Sequence, residues 1–178
     1  MPRLLQYVGL ALLLGACARQ SADSGGQTQR DSALMSHDRL AQTPPVQLVR
    51  EYVTRDGRGE RLGANPWFRS VVDWPDEPGY DEFTVITGFD IRPLAIGADT
   101  ARVRVTYNRA GRIETGETSA RFVSEPGLEE QTFVLARTDG RWRIVEPQIN
   151  QHVFAKSVLT AVRLSNEDRA KLAALPES

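Results

Sequence analysis

From Thr43 onward the apolar positions first recur every three or four residues, then alternate, and near residue 150 return to the longer period. Val46, Val49, Tyr52 and Val53 mark one face of a helix, because residues three and four apart share a side of a 3.6-residue turn. Thr43 is placed to cap it, and Pro44 and Pro45 suit a first turn whose N–H groups have no partner within the helix. Asp56-Gly57-Arg58-Gly59 supplies the stop. A second, shorter helix is predicted from Pro66 to about Val72, with Asn65 as cap and Trp67, Val71 and Val72 facing inward. Trp74-Pro75-Asp76-Glu77-Pro78-Gly79 reads as a loop.

From Phe83 the period is two. Phe83 to Ile96 is a long strand candidate whose alternation shifts at Gly88, as a bulge would shift it. Gly97-Ala98-Asp99 turns the chain into Arg102 to Asn108, with Val103, Val105 and Tyr107 on one face and Arg102, Arg104 and Thr106 on the other. A weaker strand covers Glu117 to Ser124. Glu130 to Thr138 and Arg141 to Glu146 then flank Asp139-Gly140, a pair that accepts the positive φ angles of a tight hairpin. A two-residue turn there sets Thr138 opposite Arg141, Arg137 opposite Trp142, Leu135 opposite Ile144 and Phe133 opposite Glu146. Phe133, Leu135, Trp142 and Ile144 then share the core face. Asn150 to Leu159 and Asn166 to Leu175 read as helices, the latter with Ser165 and Asp168 as a capping box. The pattern predicts an α+β domain: N-terminal helices packed on a curved, cone-like antiparallel sheet, with extra C-terminal helices.

The first 33 residues stand apart. Met1-Pro2-Arg3, about eleven mostly apolar residues, and Leu14-Gly15-Ala16-Cys17 supply the charge, hydrophobic segment and small-residue site of an export signal. The apolar run from Tyr7 to Ala18 is about half the roughly 17–25 residues that a membrane-crossing helix needs. The Leu-Gly-Ala-Cys ending resembles the lipobox of bacterial lipoproteins. That resemblance implies a signal peptide over residues 1–16 and acylation of Cys17. Two or three acyl chains, at about 0.8 kcal/mol per buried methylene, hold a protein on a membrane unaided. Ala18, rather than Asp, after the cysteine points to the outer membrane, facing the periplasm. Ala16-Cys17-Ala18 also fits ordinary Ala-x-Ala cleavage, which would leave a secreted soluble protein.

Cys17 is the single cysteine, so once acylated it leaves no disulfide, thiol nucleophile or thiolate metal ligand. Residues 18–33 hold no large apolar side chain and read as a flexible tether with a reach of about 22 Å. Residues 34–178 then form one domain, with a cone-like core over about 45–147 and C-terminal helices over 150–175. Loss of Arg3 leaves 21 basic against 23 acidic residues, with no concentrated basic face of the kind nucleic acid demands.

The opening helix, Val46-Gln47-Leu48-Val49-Arg50-Glu51-Tyr52-Val53, and the closing hairpin from Phe133 to Val145 flank a long, bent first strand. In this order they are similar to the nuclear transport factor 2-like superfamily, the cone-shaped α+β fold shared with polyketide cyclases and ketosteroid isomerases. The likeness covers about 45–147, and the two helices after Glu146 are additions to the minimal fold. It implies a pocket between the concave sheet and the helices. It implies no one function, since enzymes, binding modules and structural domains share such folds.

Two residues suggest proton chemistry. Glu146 ends the core face of the last strand, where a desolvated carboxyl would serve as general base or acid and an exposed one would only meet solvent. His152 follows among Gln148, Asn150 and Gln151, either pairing with Glu146 at the pocket mouth or lying at a helix start on the surface. Trp67, Phe68, Trp74 and Tyr80, with Tyr107 on the sheet, offer a platform for an apolar ligand or a glycan, or else fill the core. Arg102, Arg104, Arg121 and Arg143 read as a solvated outer sheet face. His37 falls in or beside the tether, and two histidines without clustered carboxylates give no metal spacing.

No Gly-x-Ser-x-Gly, glycine-rich phosphate loop or His-Glu-x-x-His occurs, and no cofactor is expected. The expectation is a lipid-anchored, non-catalytic domain of the cell envelope that binds an envelope protein or a small apolar or glycan ligand. The alternatives are a small enzyme of the cyclase, isomerase or dehydratase type and an accessory subunit of an envelope assembly. That subunit would dock through the stripe of Leu172, Ala173 and Leu175.

Overall fold

The computed structural model describes residues 42–77, 81–116 and 119–176. Cys17, the tether, His37 and Tyr80 lie outside the described residues. Helix α1 spans Pro45–Gly57, and the cap position falls to Pro44 rather than Thr43, which is buried one residue earlier. Proline fits the first helical position because its φ is already helical and its missing N–H had no partner to lose. Leu48, Val49, Tyr52 and Val53 form the buried face, and Asp56 continues it. Helix α2 is Trp67–Val71, and Asn65 Oδ1 accepts the Trp67 backbone N–H at 3.0 Å. Its fully buried aromatic is Phe68, not Trp67. Trp67 is half-buried, edge-on to Phe68 at 5.3 Å and beneath the Arg55 guanidinium at 4.6 Å.

Strands β1 (Glu82–Ile96), β2 (Thr100–Thr115), β3 (Ala120–Thr138), β4 (Arg141–Glu146) and β5 (His152–Phe154) form one curled, half-barrel sheet in the order β4-β3-β2-β1-β5. The first four make an antiparallel meander, and β5 pairs in parallel with β1. Bulges bend the sheet: the β1–β2 register shifts on both sides of Ile86, and the β2–β3 register shifts between Arg109 and Gly111. The two strands expected over 117–124 and 130–138 are one 19-residue strand. Glu125 and Pro126 bulge opposite Arg109–Gly111 and bend that strand without ending it. Gly111 is required there, since a Cβ would lie 2.1 Å from the Val123 carbonyl oxygen. At the last hairpin Asp139 (φ 53°) and Gly140 (φ 76°) form the expected turn.

The hairpin register holds through Leu135–Ile144 and then slips. Val134, not Phe133, pairs with Glu146, so Glu146 leaves the core face and is exposed. A one-residue slip exchanges the faces of every side chain beyond it.

Each bulge also hands the apolar set to a new partner. On one side of the bulges α1 and α2 pack on Val103, Val105, Tyr107, Phe133, Leu135 and Ile144. On the other side Phe83, Val85, Ile113 and Phe122 build a second core with Val153, Val158 and Leu172. The last two belong to helices α3 (Ala155–Ala161) and α4 (Asn166–Ala173). The single helix expected over 150–159 is therefore a short strand followed by a helix. Pairing with the β1 edge at Thr84–Ile86 overrides the helical pattern, and the Thr84 N–H donates to the Gln151 carbonyl at 2.8 Å. Ser165 caps α4 as expected, its Oγ accepting the Asp168 N–H at 3.1 Å and donating to Asp168 Oδ2 at 3.0 Å. Among the described residues no helix is long and apolar enough to cross a membrane.

Candidate functional site

Two features meet where α1 ends. The first is a buried polar cluster. Asp56 follows Val49, Tyr52 and Val53 on the inward face of α1 and is 2% exposed. Its Oδ2 accepts the His152 backbone N–H at 2.9 Å and lies 3.5 Å from the Arg61 guanidinium. Arg61 comes from the loop after α1 and reaches Glu77 at 2.9 Å and the Ile149 carbonyl. Glu77 also accepts the Trp74 indole N–H at 3.2 Å.

His152 is 0% exposed and its ring stacks on Tyr107, centroids 4.1 Å apart. Nδ1 faces the Asn150 carbonyl at 3.1 Å and Nε2 faces Glu129 at 3.0 Å.

Charge in this cluster follows burial and neighbours. Burial lifts Asp56 to about 6 against the pull of Arg61. Burial opposes the charge on Arg61, but the attraction of Asp56 and other neighbours outweighs it and raises the guanidinium. The hydrogen bond from His152 leads in holding Glu129 below its usual range. Burial, then Asp56, push the Tyr107 phenol well above its ordinary value. Tyr52, Asp56, Tyr107 and His152 are all 2% exposed or less, so these atoms have no direct contact with a dissolved substrate. The cluster ties the end of α1 to β5, and through His152 to β2 and β3.

The second feature is a cleft of about 560 Å³ between α1, β1, α3 and α4, within the range of roughly 300–1,000 Å³ common for small-molecule sites. Phe154, Leu159 and Leu175 give it apolar walls, with the buried Ile86 and Leu172 packed behind them. Arg58 and Lys156, both exposed, lie along it with the hydroxyls of Thr54, Thr87 and Ser157. Phe154 is set by two contacts. It stacks on Phe89 at 6.2 Å, and it lies against the backbone at Gly57, where a Cβ would come within 2.4 Å of the ring.

Of the residues singled out in the sequence, Glu146 and His152 do not meet: one is exposed, the other is sealed in the core beside Glu129. Trp67 and Trp74 are half-buried and pair with Arg55 and Glu77, and Tyr107 is fully buried; none of the three lines the cleft. Arg143 leaves the outer arginine set and donates to the Arg69 and Val72 carbonyls at the end of α2. Asp56, Arg61 and Glu129 were not picked out from the sequence. Asp56 had a signal, since it continues the 49–52–53 spacing by another turn. Arg61 had none among 22 basic residues, and Glu129 fell in the expected gap between two strands. No protein-family profile matches this chain, and no curated protein matches it.

Proposed function

We propose that this chain is a lipid-anchored envelope protein whose folded domain is a non-catalytic binding module, taking a small apolar ligand in the cleft beside α1. The observation that carries the reading is the cleft itself: a preformed apolar hollow of about 560 Å³ that the core packing leaves open. The lipobox-like Leu14-Gly15-Ala16-Cys17 supplies the anchor and Ala18 the outer-membrane preference. A nuclear transport factor 2-like ancestry is part of the same reading, supported by the curled sheet, the bulged first strand and the helices packed in its concavity. The cyclase-like alternative loses its pair of residues, since Glu146 is exposed and His152 is sealed. The assembly-subunit alternative loses its stripe, since Leu172 is 1% exposed and Leu175 packs on the second core.

The test is a titration of the purified full chain with N-phenyl-1-naphthylamine, an uncharged apolar fluorophore. We expect saturable one-to-one binding, lost when Ala173→Trp fills the cleft from an exposed position on α4. Absence of saturable binding, or binding indifferent to Ala173→Trp, overturns the ligand reading. For the anchor, intact mass after membrane fractionation is compared with Cys17→Ala: a lipid-shifted mass confined to the wild type is expected, and an unshifted soluble product contradicts it.

A further inference from the structure

We propose that the open edge of β1 pairs antiparallel with the same edge of a second copy of this chain, around a twofold axis at Ile91. On the side of β1 away from β2, β5 covers only Thr84–Ile86. Among the described residues no strand pairs with that side from Thr87 to Ile96. The main chain there has groups to offer. Thr84 donates its N–H to Gln151 on the β5 side, and main-chain groups two residues apart in a strand face the same neighbour. The bulge at Thr87 moves that alternation by one, so Phe89 and Ile91 turn their N–H and C=O groups to the open side. Pro93 falls in the same set, where a strand needs no N–H towards its neighbour β2.

Charge selects the occupant and the register. Asp90 and Arg92 are both exposed, and among the described residues neither has an ion-pair partner. Arg92 lies opposite Arg104 of β2, a like-charge pairing that is unfavourable across a ladder. A second β1 laid antiparallel, Ile91 against Ile91, brings the partner's Asp90 against Arg92 and the partner's Arg92 against Asp90. An axis moved by one residue, to Asp90 or to Arg92, sets like charges face to face instead. Charged side chains and proline on an edge ordinarily block indiscriminate strand pairing; here they leave one register favourable. In that register the two Ile91 residues exchange a pair of hydrogen bonds, and each Phe89 N–H meets a Pro93 carbonyl across the axis. Leu94 and Ile96, 46% and 52% exposed, lie beside the paired stretch and lose contact with water on assembly. Such a self-complementary contact closes as a dimer.

The test is sedimentation velocity of the full chain, with Cys17→Ala in every sample so that neither acyl chains nor a Cys17 disulfide joins copies. Loading runs from about 5 to about 500 µM, a range suited to a contact smaller than a standard interface. A monomer–dimer equilibrium is expected, weakening as salt rises. Asp90→Arg sets arginine against arginine at both pairs, and Arg92→Asp sets aspartate against aspartate. Each is expected to weaken the dimer about tenfold or more. The double variant Asp90→Arg, Arg92→Asp restores opposite charges and is expected to return to within about threefold of the starting affinity. Both positions are exposed, so these substitutions leave the core untouched. A monomer at every concentration overturns the proposal. So does a dimer that both single variants keep, or one that the double variant fails to restore.

Discussion

Asp56 sets how this fold responds to pH. In the unfolded chain its carboxyl releases a proton near 3.8; in the fold, burial delays release to about 6. Between those values the folded chain keeps a proton that the unfolded chain has lost, so stability falls as pH rises. The contribution is fully present below 3.8 and gone once pH has passed about 6. A tenfold difference in proton affinity between the folded and unfolded chain is worth about 1.4 kcal/mol. Weighting the protonated and ionised forms in each state gives a loss of about 1 kcal/mol between pH 5 and pH 7.

Asp56→Asn removes this titration while keeping an oxygen for the His152 N–H. It leaves Arg61 with its 2.9 Å contact to Glu77. Glu129 and Glu114, whose carboxyls are lowered in the fold, act with the opposite sign and below the ordinary glutamate value of 4.5, outside the chosen window. Urea unfolding of both proteins at pH 5 and pH 7 isolates the Asp56 contribution. The wild type is expected to lose about 1 kcal/mol relative to Asp56→Asn on raising the pH. Parallel behaviour of the two proteins refutes the reasoning. So does a wild type that gains relative stability with pH, because Arg61 rather than burial would then control the carboxyl.

Other substitutions test the packing. Gly111→Ala forces a Cβ against the Val123 carbonyl oxygen at the bulge and should cost about 3 kcal/mol in chemical denaturation. Gly57→Ala pushes the Phe154 ring off the end of α1. It should cost about 1–3 kcal/mol and weaken probe uptake by the cleft, both read by a melt and a titration on one sample. Glu146→Gln, at an exposed strand end, should leave stability within about 0.5 kcal/mol in the same denaturation assay.

The sequence carried the elements better than their ends. The period-two stretches located β1, β2 and the last hairpin because a half-buried strand must alternate, and Asp139-Gly140 announced its turn for a steric reason. One strand was expected to end at Ser124 and the next to begin at Glu130, yet Pro126 lies in a bulge where its missing N–H is not needed and β3 runs through. The slip after Leu135 could not be read, because it depends on packing beyond the turn. His152 illustrates the limit most clearly. Its neighbours suggested a helix start, but the free edge of β1 and the carboxylate of Asp56, 96 residues away in sequence, draw it into the core. The cleft was invisible for the same reason: its walls come from α1, β1, β5, α3 and α4, and no local pattern records their meeting.

Whether the cleft takes a small apolar ligand is decided by amide and methyl NMR of the full chain during titration with N-phenyl-1-naphthylamine. Saturable shifts concentrated at Thr54, Ile86, Phe154, Leu159 and Leu172 are expected. Shifts centred instead on Trp67, Trp74 or the His152–Glu129 pair, or none that saturate, would contradict the binding site.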